Sequence, residues 1–445
     1  MRFYLISLGC PKNTVDAEGM AMRLQEAGHT PAHSQREADV LIVNTCGFIA
    51  AARSESLGML RELGAEKRRG QILIAAGCLA EREGAQLSRR VPEIDGLLGT
   101  RHWSQIVPLV EEAARRRGKG LACLASPGPG NTVAELARMA SGPSAYLKIA
   151  DGCDAACAFC AIPRIKGPQR SKPRPAVLAE ARSLVEQGVR ELILIAQDTT
   201  AYGRDLGEPQ GLSRLIRELL AGNPELTWLR LLYSYPQHID GELIDTLASD
   251  PRICHYLDLP LQHAHPEVLR RMRRPHDIDR TLRLIEDLRA QIPDVALRTT
   301  FIVGFPGETE QEFEALLAML SEVRFDRVGI FTYSKEAGTP AAQMPGQVPP
   351  HIRRERYDRA MAWQQHISLQ RNREQVGRTL SVLIEGRQEA SDQGSAAAMA
   401  IGRSYRDAPE IDGLVLVQGE QPIGQFVPVR VTGALEYDLV GDALS

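Results

Sequence analysis

Short apolar runs alternate with longer segments whose apolar positions recur every three or four residues, and the alternation persists through most of the chain. Runs at Phe3–Leu8, Asp39–Val43 and Gln71–Ala76 predict three strands. The stretches between them predict helices, the first carrying Val15, Met20, Met22 and Leu24 with Asn13 as its cap. This strand–helix alternation implies an N-terminal α/β domain with a parallel sheet and helical crossovers. Further on, Ala145–Ile149, Glu191–Ala196, Thr227–Leu232, His255–Leu259, Leu297–Val303 and Arg327–Thr332 read as strands. Helical patterns such as Pro175–Gln187, Leu212–Leu220 and Gln311–Leu320 lie between them. Six such units predict a partial (β/α)6 barrel with its site at the carboxyl ends of the strands. His351–Glu374 reads as a long, charged amphipathic helix. From Gly377 the period changes to short strands, Thr379–Ile384, Ala398–Ile401, Leu414–Val417 and Gln425–Val431, separated by Gly and Asp turns; a small β-barrel follows. The expected domains are 1–115, 139–374 and 375–445, with a hinge over Val91–Asn131 that includes the loop Pro127-Gly128-Pro129-Gly130.

The first central strand is followed directly by Gly152-Cys153-Asp154-Ala155-Ala156-Cys157-Ala158-Phe159-Cys160, with cysteines spaced C-x₃-C-x₂-C. A cubic iron–sulfur cluster takes one ligand per iron, so three thiolates leave one iron open to a substrate or cofactor. Zinc would need a fourth nearby ligand, and the next histidine is His238. Unligated core cysteines fit poorly beside Gly152, Asp154 and Pro163, which mark an exposed loop. Cys10, Cys46 and Cys78 each follow one of the three N-terminal strands, where ligands of open α/β sheets bind. They are expected to converge as a second three-thiolate set. Cys123 and Cys254 have no such partners and read as small buried hydrophobes.

Other central strand ends carry polar or glycine-rich groups: Gln197-Asp198-Thr199-Thr200, Ser234-Tyr235, Gln262-His263 and Gly304-Phe305-Pro306-Gly307-Glu308. Gln197, Asp198, Gln262, Gly304 and Glu308 are the candidates for holding the amine, ribose and adenine of a nucleoside cofactor. Gly304–Glu308 reads equally as a plain β-to-α turn. His238, His263 and His265 read as ordinary loop histidines, and Arg270-Arg271-Met272-Arg273-Arg274 and Arg115-Arg116-Arg117-Gly118-Lys119 as solvated helix ends.

Composition narrows the partners. The 445 residues are 43% hydrophobic and 24% charged, with net charge −3, which gives no global basicity suited to nucleic acid. No apolar run approaches a membrane span, and the start of the chain is too short in apolar residues for a signal segment, so a cytoplasmic protein is expected. Eight cysteines in that reducing compartment favour metal or catalysis over disulfides. The last domain has no lysine and only five arginines against ten acids, a balance that repels phosphate backbones and suits a basic protein.

Together these features resemble the methylthiotransferase family of radical S-adenosylmethionine (SAM) enzymes over nearly the whole chain. The resemblance rests on Ser7-Leu8-Gly9-Cys10-Pro11-Lys12-Asn13, Val43-Asn44-Thr45-Cys46, Ala76-Gly77-Cys78, and Asp151 through Pro163. Pro260-Leu261-Gln262-His263 and Gly304 through Thr309 add to it, and the β-rich end resembles a TRAM domain. Ala196–Gly203, Leu231–Pro236 and Asp407–Gly413 resemble the RimO-type branch, which modifies an aspartate of protein twelve of the small ribosomal subunit. The sister MiaB-like branch modifies an adenosine of transfer RNA. The resemblance implies two [4Fe–4S] clusters, an auxiliary one on Cys10, Cys46 and Cys78 and a SAM-binding one on Cys153, Cys157 and Cys160. It further implies hydrogen abstraction from the aspartate β-carbon by a 5′-deoxyadenosyl radical, attack of the substrate radical on a sulfur carried by the auxiliary cluster, and a methyl group supplied by a second SAM. A sulfur donor and an electron donor such as flavodoxin or ferredoxin are the implied partners, with no direct tRNA binding. Two positions depart from the family pattern: Lys166 stands where arginine is usual and Ala337 replaces an acidic residue. A tRNA enzyme would need a basic last domain, and a simple electron carrier would have four ligands per cluster and no use for a barrel.

Overall fold

The computed structural model describes residues 1–116, 121–123, 138–388 and 399–444. Pro127–Gly130, the Arg117-Gly118-Lys119 part of the basic run, the side chain of Cys123, and Ala398 of the last domain lie outside the described residues.

The N-terminal sheet is built from β1 (Arg2–Ser7), β2 (Thr30–Pro31), β3 (Val40–Thr45), β4 (Ile72–Gly77), β5 (Gly96–Gly99) and β6 (Ala122–Cys123). All pairings are parallel, in the order β2-β1-β3-β4-β5-β6. Every residue of β3 and β4 is buried, as a parallel sheet covered on both faces requires. On one face Val40, Ile42, Ile72 and Ile74 pack with Val15, Met20 and Leu24 of α1 (Pro11–Glu26). On the other, Leu41, Val43, Leu73 and Ala75 pack with Leu57, Leu60 and Leu63 of α2 (Ala50–Glu66). A short helix, α3 (Cys78–Glu83), leaves β4 directly. One expectation is corrected. Cys10, not Asn13, stands at the cap of α1, because Pro11 occupies the first helical position, where its fixed φ suits the helix and its missing N–H costs nothing.

The central sheet joins β7 (Ser144–Lys148), β10 (Glu191–Ile195), β11 (Trp228–Leu231), β12 (Ile253–Asp258), β13 (Ala296–Val303) and β14 (Arg327–Thr332). All are parallel and stand in sequence order, an open (β/α)6 arc. A two-stranded ribbon of β8 (Ala150–Asp151) and β9 (Arg170–Ser171) brackets the cysteine loop. The helix Pro350–Arg373 then crosses to the last domain. Its buried positions, Arg356, Ala360, Gln364, Ile367, Ser368 and Asn372, have helical spacing, but most are polar, so the stripe is not the apolar one expected.

The last domain is a closed barrel of β15 (Thr379–Gln388), β16 (Met399–Ser404), β17 (Val415–Gln418), β18 (Phe426–Ala434) and β19 (Leu439–Ala443), ordered β15-β16-β17-β19-β18. Leu380, Val382 and Ile384 alternate inward against Val427, Val429 and Val431. β19 was not among the expected strands. The domain's charges are redistributed on folding. Arg403 and Arg406 are buried against the central domain, on Glu191 and Asp326, and Asp407 is buried on Arg327. Among the described residues, Arg378, Arg387 and Arg430 stay exposed against Glu385, Glu410, Glu420, Glu436 and Asp442, which is still an acidic excess. Among the described residues no helix is long and apolar enough to cross a membrane.

Candidate functional site

The N-terminal cysteines sit where the parallel sheet delivers them. Cys10 follows β1, Cys46 follows β3 and Cys78 opens α3 after β4, and β1, β3 and β4 are neighbours in the sheet. Two glycines make the approach possible. At Gly9 (φ +96°) a Cβ would stand 2.7 Å from the Cβ of Cys46, and at Gly77 (φ +93°) it would stand 2.4 Å from Asn44 Oδ1. A buried polar net ties the three ends together. Asn13 Nδ2 donates to the carbonyls of Leu8 (2.8 Å) and Thr45 (3.2 Å), and the Cys78 thiol donates to Asn13 Oδ1 (3.6 Å). Asn44 Nδ2 donates to the Asn13 carbonyl (2.7 Å), and the Ser56 hydroxyl accepts from Cys46 N (3.0 Å).

Cys153, Cys157 and Cys160 lie on the loop after β8. Cys153 N donates to the Gly167 carbonyl (3.1 Å), Ala158 N to the Met272 carbonyl (2.9 Å) and Ile162 N to Cys160 Sγ (3.4 Å). The two domains are locked at this point by buried charge. Lys166 Nζ reaches Asp151 Oδ2 (3.0 Å) and Asp16 Oδ2 (3.2 Å), and Lys148 bonds the same two carboxylates. Burial alone would lower the Lys166 pKa, but Asp151 and Asp16 hold it well above the usual range, so Lys166 is a charged inter-domain clasp.

All six cysteines line one cavity of about 320 Å³ between the N-terminal and central sheets. Burial pushes the Cys78 and Cys160 thiols up to about 12 and Cys153 to about 11, and it raises Cys46 as well. The cations nearest them, Lys166 for Cys78 and Arg274 for Cys160, do not offset this burial, and a bound cationic metal centre would do so as the protons leave. Among the described residues no three His, Cys, Asp or Glu side chains converge as ligands of a single metal ion. A cubic cluster instead anchors its thiolates on separate irons, and two soft three-sulfur donor sets fit that group. The zinc alternative also loses its histidine, since His238 does not line this cavity.

Gln197, Asp198 and Gln262 line the same cavity. Gln197 Nε2 donates to Asp151 Oδ1 (2.8 Å), which leaves its buried Oε1 without a partner, and the buried Ser234 hydroxyl beside it is also unpartnered. Asp198 accepts from Thr200 Oγ1 (2.6 Å) and Ala201 N (3.2 Å). Gln262 (φ +76°) and Tyr233 (φ +62°), another lining residue, hold left-handed backbone conformations that only surrounding structure can impose on such side chains. Gly304 and Glu308 do not line it, which corrects their expected place. The Glu308 carboxylate accepts from Gly304 N (2.9 Å) and Phe305 N (3.1 Å) and pairs with Arg356 (2.9 Å), all buried, so it closes its own turn. His263 is buried with Nε2 3.5 Å from Glu308, and His265 caps the helix Pro266–Met272; neither is an ordinary loop residue. Arg274 was read as part of a solvated helix end. It is 7% exposed, lines the cavity, stacks on Tyr235 at 4.2 Å and stands 3.9 Å from Cys157 Sγ. The left-handed turn at Arg273 swings it inward, and the run of arginines concealed it. Cys254 is buried in the core as expected. A larger cavity of about 710 Å³, lined by Arg53, Arg82 and Arg164 among others, contains no cysteine.

Three family models match: the uncharacterized protein family UPF0004 over residues 2–99, the radical SAM superfamily over 147–320 and the TRAM domain over 376–444. The chain is 53% identical to the ribosomal protein uS12 methylthiotransferase RimO of Chloroflexus aurantiacus, covering 100% of both chains. It is 45% identical to the RimO of Geobacter sulfurreducens, covering 99% of this chain and 98% of the relative. Among solved structures, the fold is similar to the radical SAM methyltransferase TsrM of Kitasatospora setae, with TM-score 0.58 and 15% identity over 88% of this chain and 81% of that one. The cobalamin-dependent radical SAM enzyme OxsB aligns with TM-score 0.51 and 10% identity over 82% of this chain and 56% of that one.

Proposed function

The chain belongs to the RimO family of ribosomal protein uS12 methylthiotransferases, and from that premise we propose that the six-cysteine cavity is its reaction chamber. The enzyme is a radical SAM methylthiotransferase that adds a methylthio group to the β-carbon of an aspartate in uS12, with two [4Fe–4S] clusters and SAM as cofactors. Cys10, Cys46 and Cys78 hold the auxiliary cluster, and Cys153, Cys157 and Cys160 the one that binds SAM. When bound, these groups supply the one-electron chemistry and the sulfur that an unactivated C–H bond demands of a cofactor. The protein's part is placement. The observation that carries this reading is that thiols from two domains face one chamber of about 320 Å³. The unpartnered Gln197 Oε1 and Ser234 hydroxyl, with the Asp198 carboxylate and the Gln262 backbone, offer acceptors and donors for the amine and ribose of SAM. Arg274 places a cation beside Cys157, where cluster thiolates would concentrate negative charge. Gly304 and Glu308 support the chamber through their turn. The 1–115, 139–374 and 375–445 divisions serve as auxiliary-cluster domain, radical domain and barrel. The exposed acids of the barrel suit a basic protein and oppose a tRNA backbone. A cytoplasmic sulfur donor and a reduced flavodoxin or ferredoxin complete the cycle.

The test is mass spectrometry of uS12 and tRNA from a strain lacking this protein. Loss of the methylthio group from uS12, restored by the wild-type chain but not by Cys10→Ala or Cys157→Ala, is expected. Loss from tRNA with uS12 intact would overturn the reading.

A further inference from the structure

Lys12 is a buried cation with no anion. It stands in the first turn of α1, is 8% exposed and lines the six-cysteine cavity. Its Nζ donates to the Ala196 carbonyl at 3.3 Å and lies 3.2 Å from the centroid of the Tyr233 ring. Among the described residues it forms no ion pair, whereas the neighbouring Lys148 and Lys166 are both saturated by Asp16 and Asp151. An ammonium carries three donors, and only one is used here. A charge held out of water without a partner is costly, and such a group is retained where an arriving counter-charge completes it. Lys166 and Arg274 are the other cations that line the chamber, and Arg274 is occupied at Pro260 and lies beside Cys157, at the thiols of the central loop. Lys12 instead stands two positions from Cys10, at the thiols of the N-terminal sheet.

We propose that Lys12 grips the side-chain carboxylate of the substrate aspartate, a role that rests on the reading of the chamber given above. The carboxylate is one bond from the β-carbon that gains sulfur. A charge-assisted hydrogen bond to it therefore fixes the reacting atom next to the auxiliary site, while Tyr233, in its strained backbone conformation, backs the ammonium from the opposite side. The same contact selects the substrate. Asparagine has nearly the shape of aspartate but presents no negative charge, and its amide nitrogen meets a donor with another donor.

The experiment measures the dissociation constant of anaerobically reconstituted enzyme for uS12 and for a uS12 variant with asparagine at the modified position, without SAM, by calorimetry. Wild-type enzyme should bind the aspartate form about ten- to a hundredfold more tightly, the range set by one hydrogen bond to a charged group. Lys12→Met should weaken binding of the aspartate form by that factor and bring the two forms to near-equal affinity, and Lys12→Arg should restore the preference. Equal affinity of the wild-type enzyme for both forms would overturn the proposal without any variant. So would a Lys12→Met enzyme that keeps the preference and loses only iron, since the ammonium would then serve the cysteines. A wild-type enzyme that binds the aspartate form selectively but never methylthiolates it would instead count against the assigned chemistry of the chamber.

Discussion

The amide of Asn13 donates to the carbonyls that end two different strand connections, at Leu8 and Thr45, and accepts from the thiol that begins α3. One side chain thus sets the relative position of the segments that carry Cys10, Cys46 and Cys78. It is 1% exposed, so truncation leaves a buried carbonyl at Thr45 and a part-buried one at Leu8 short of a partner. Asn13→Ala should cost about 1–3 kcal/mol in stability, the usual range for buried groups left unpaired. Its sharper effect should be on loading. Iron bound after anaerobic reconstitution should fall to about half, with reductive SAM cleavage to 5′-deoxyadenosine persisting because the central loop takes its shape from Gly167 and Met272 instead. Full iron content in the variant would mean that the strand ends hold the three thiols in place without the amide.

The helix Pro350–Arg373 shows at the element scale how a polar stripe can bind as tightly as an apolar one. Arg356 donates to the carbonyl and carboxylate of Glu308, Gln364 to the Phe325 carbonyl (3.1 Å), and Asn372 to the Leu435 carbonyl (3.0 Å), so the helix fastens central turns to the last barrel. Arg356→Met would strand a Glu308 carboxylate that is fully buried beside His263. It should destabilise the central domain by about 3–5 kcal/mol, and Glu308→Gln in the same chain should recover part of that, because the uncompensated charge is the main cost. Urea unfolding of the two variants would check this, and equal stability of the single variant and wild type would refute it. These elements mark where the sequence is legible. The strand starts and the cysteine at each strand end are readable because buried parallel strands are continuous apolar runs, β3 and β4 most plainly. The helix contacts are unreadable because Arg356, Gln364 and Asn372 look like a solvated face until their partners from distant turns are in place. The same blindness hid Arg274 among neighbouring arginines, and β19 because five residues between Gly and Asp turns give too short a pattern. Glu308 was misplaced for the converse reason: its motif is visible, but the bonds it makes to its own turn are not.

At the scale of the whole molecule the three domains are joined through buried charges. Glu191 of β10 receives Arg230 from β11 (2.8 Å) and Arg403 from the barrel strand β16 (2.6 Å), and beside it the Trp228 and Phe426 rings meet edge to face at 4.6 Å. An acidic count over the last domain misses this, because two of its arginines are spent inside the interface and never reach the surface. Burial alone would raise the Glu191 pKa, but Arg403 and Arg230 pull it down to about 2 from an ordinary 4.5. The folded protein therefore binds fewer protons at this site than the unfolded chain between those two values. The stabilisation, roughly 3 kcal/mol from the size of the shift, is fully present above about pH 4.5 and drains away as the pH falls toward 2. The barrel should accordingly part from the central domain on acidification before the six-strand arc unfolds, because the arc's apolar core does not titrate. Tryptophan emission from Trp228 followed across that window, with limited proteolysis between the domains, should report a separate early transition. Glu191→Gln should shrink the transition's pH dependence to the part left by Asp326 beneath Arg406, and loosen the barrel at neutral pH, since two buried guanidiniums then lack their carboxylate. If the variant and wild type part at the same pH, the interface is held by Trp228, Phe426 and their apolar neighbours, and the charge cluster merely fills it.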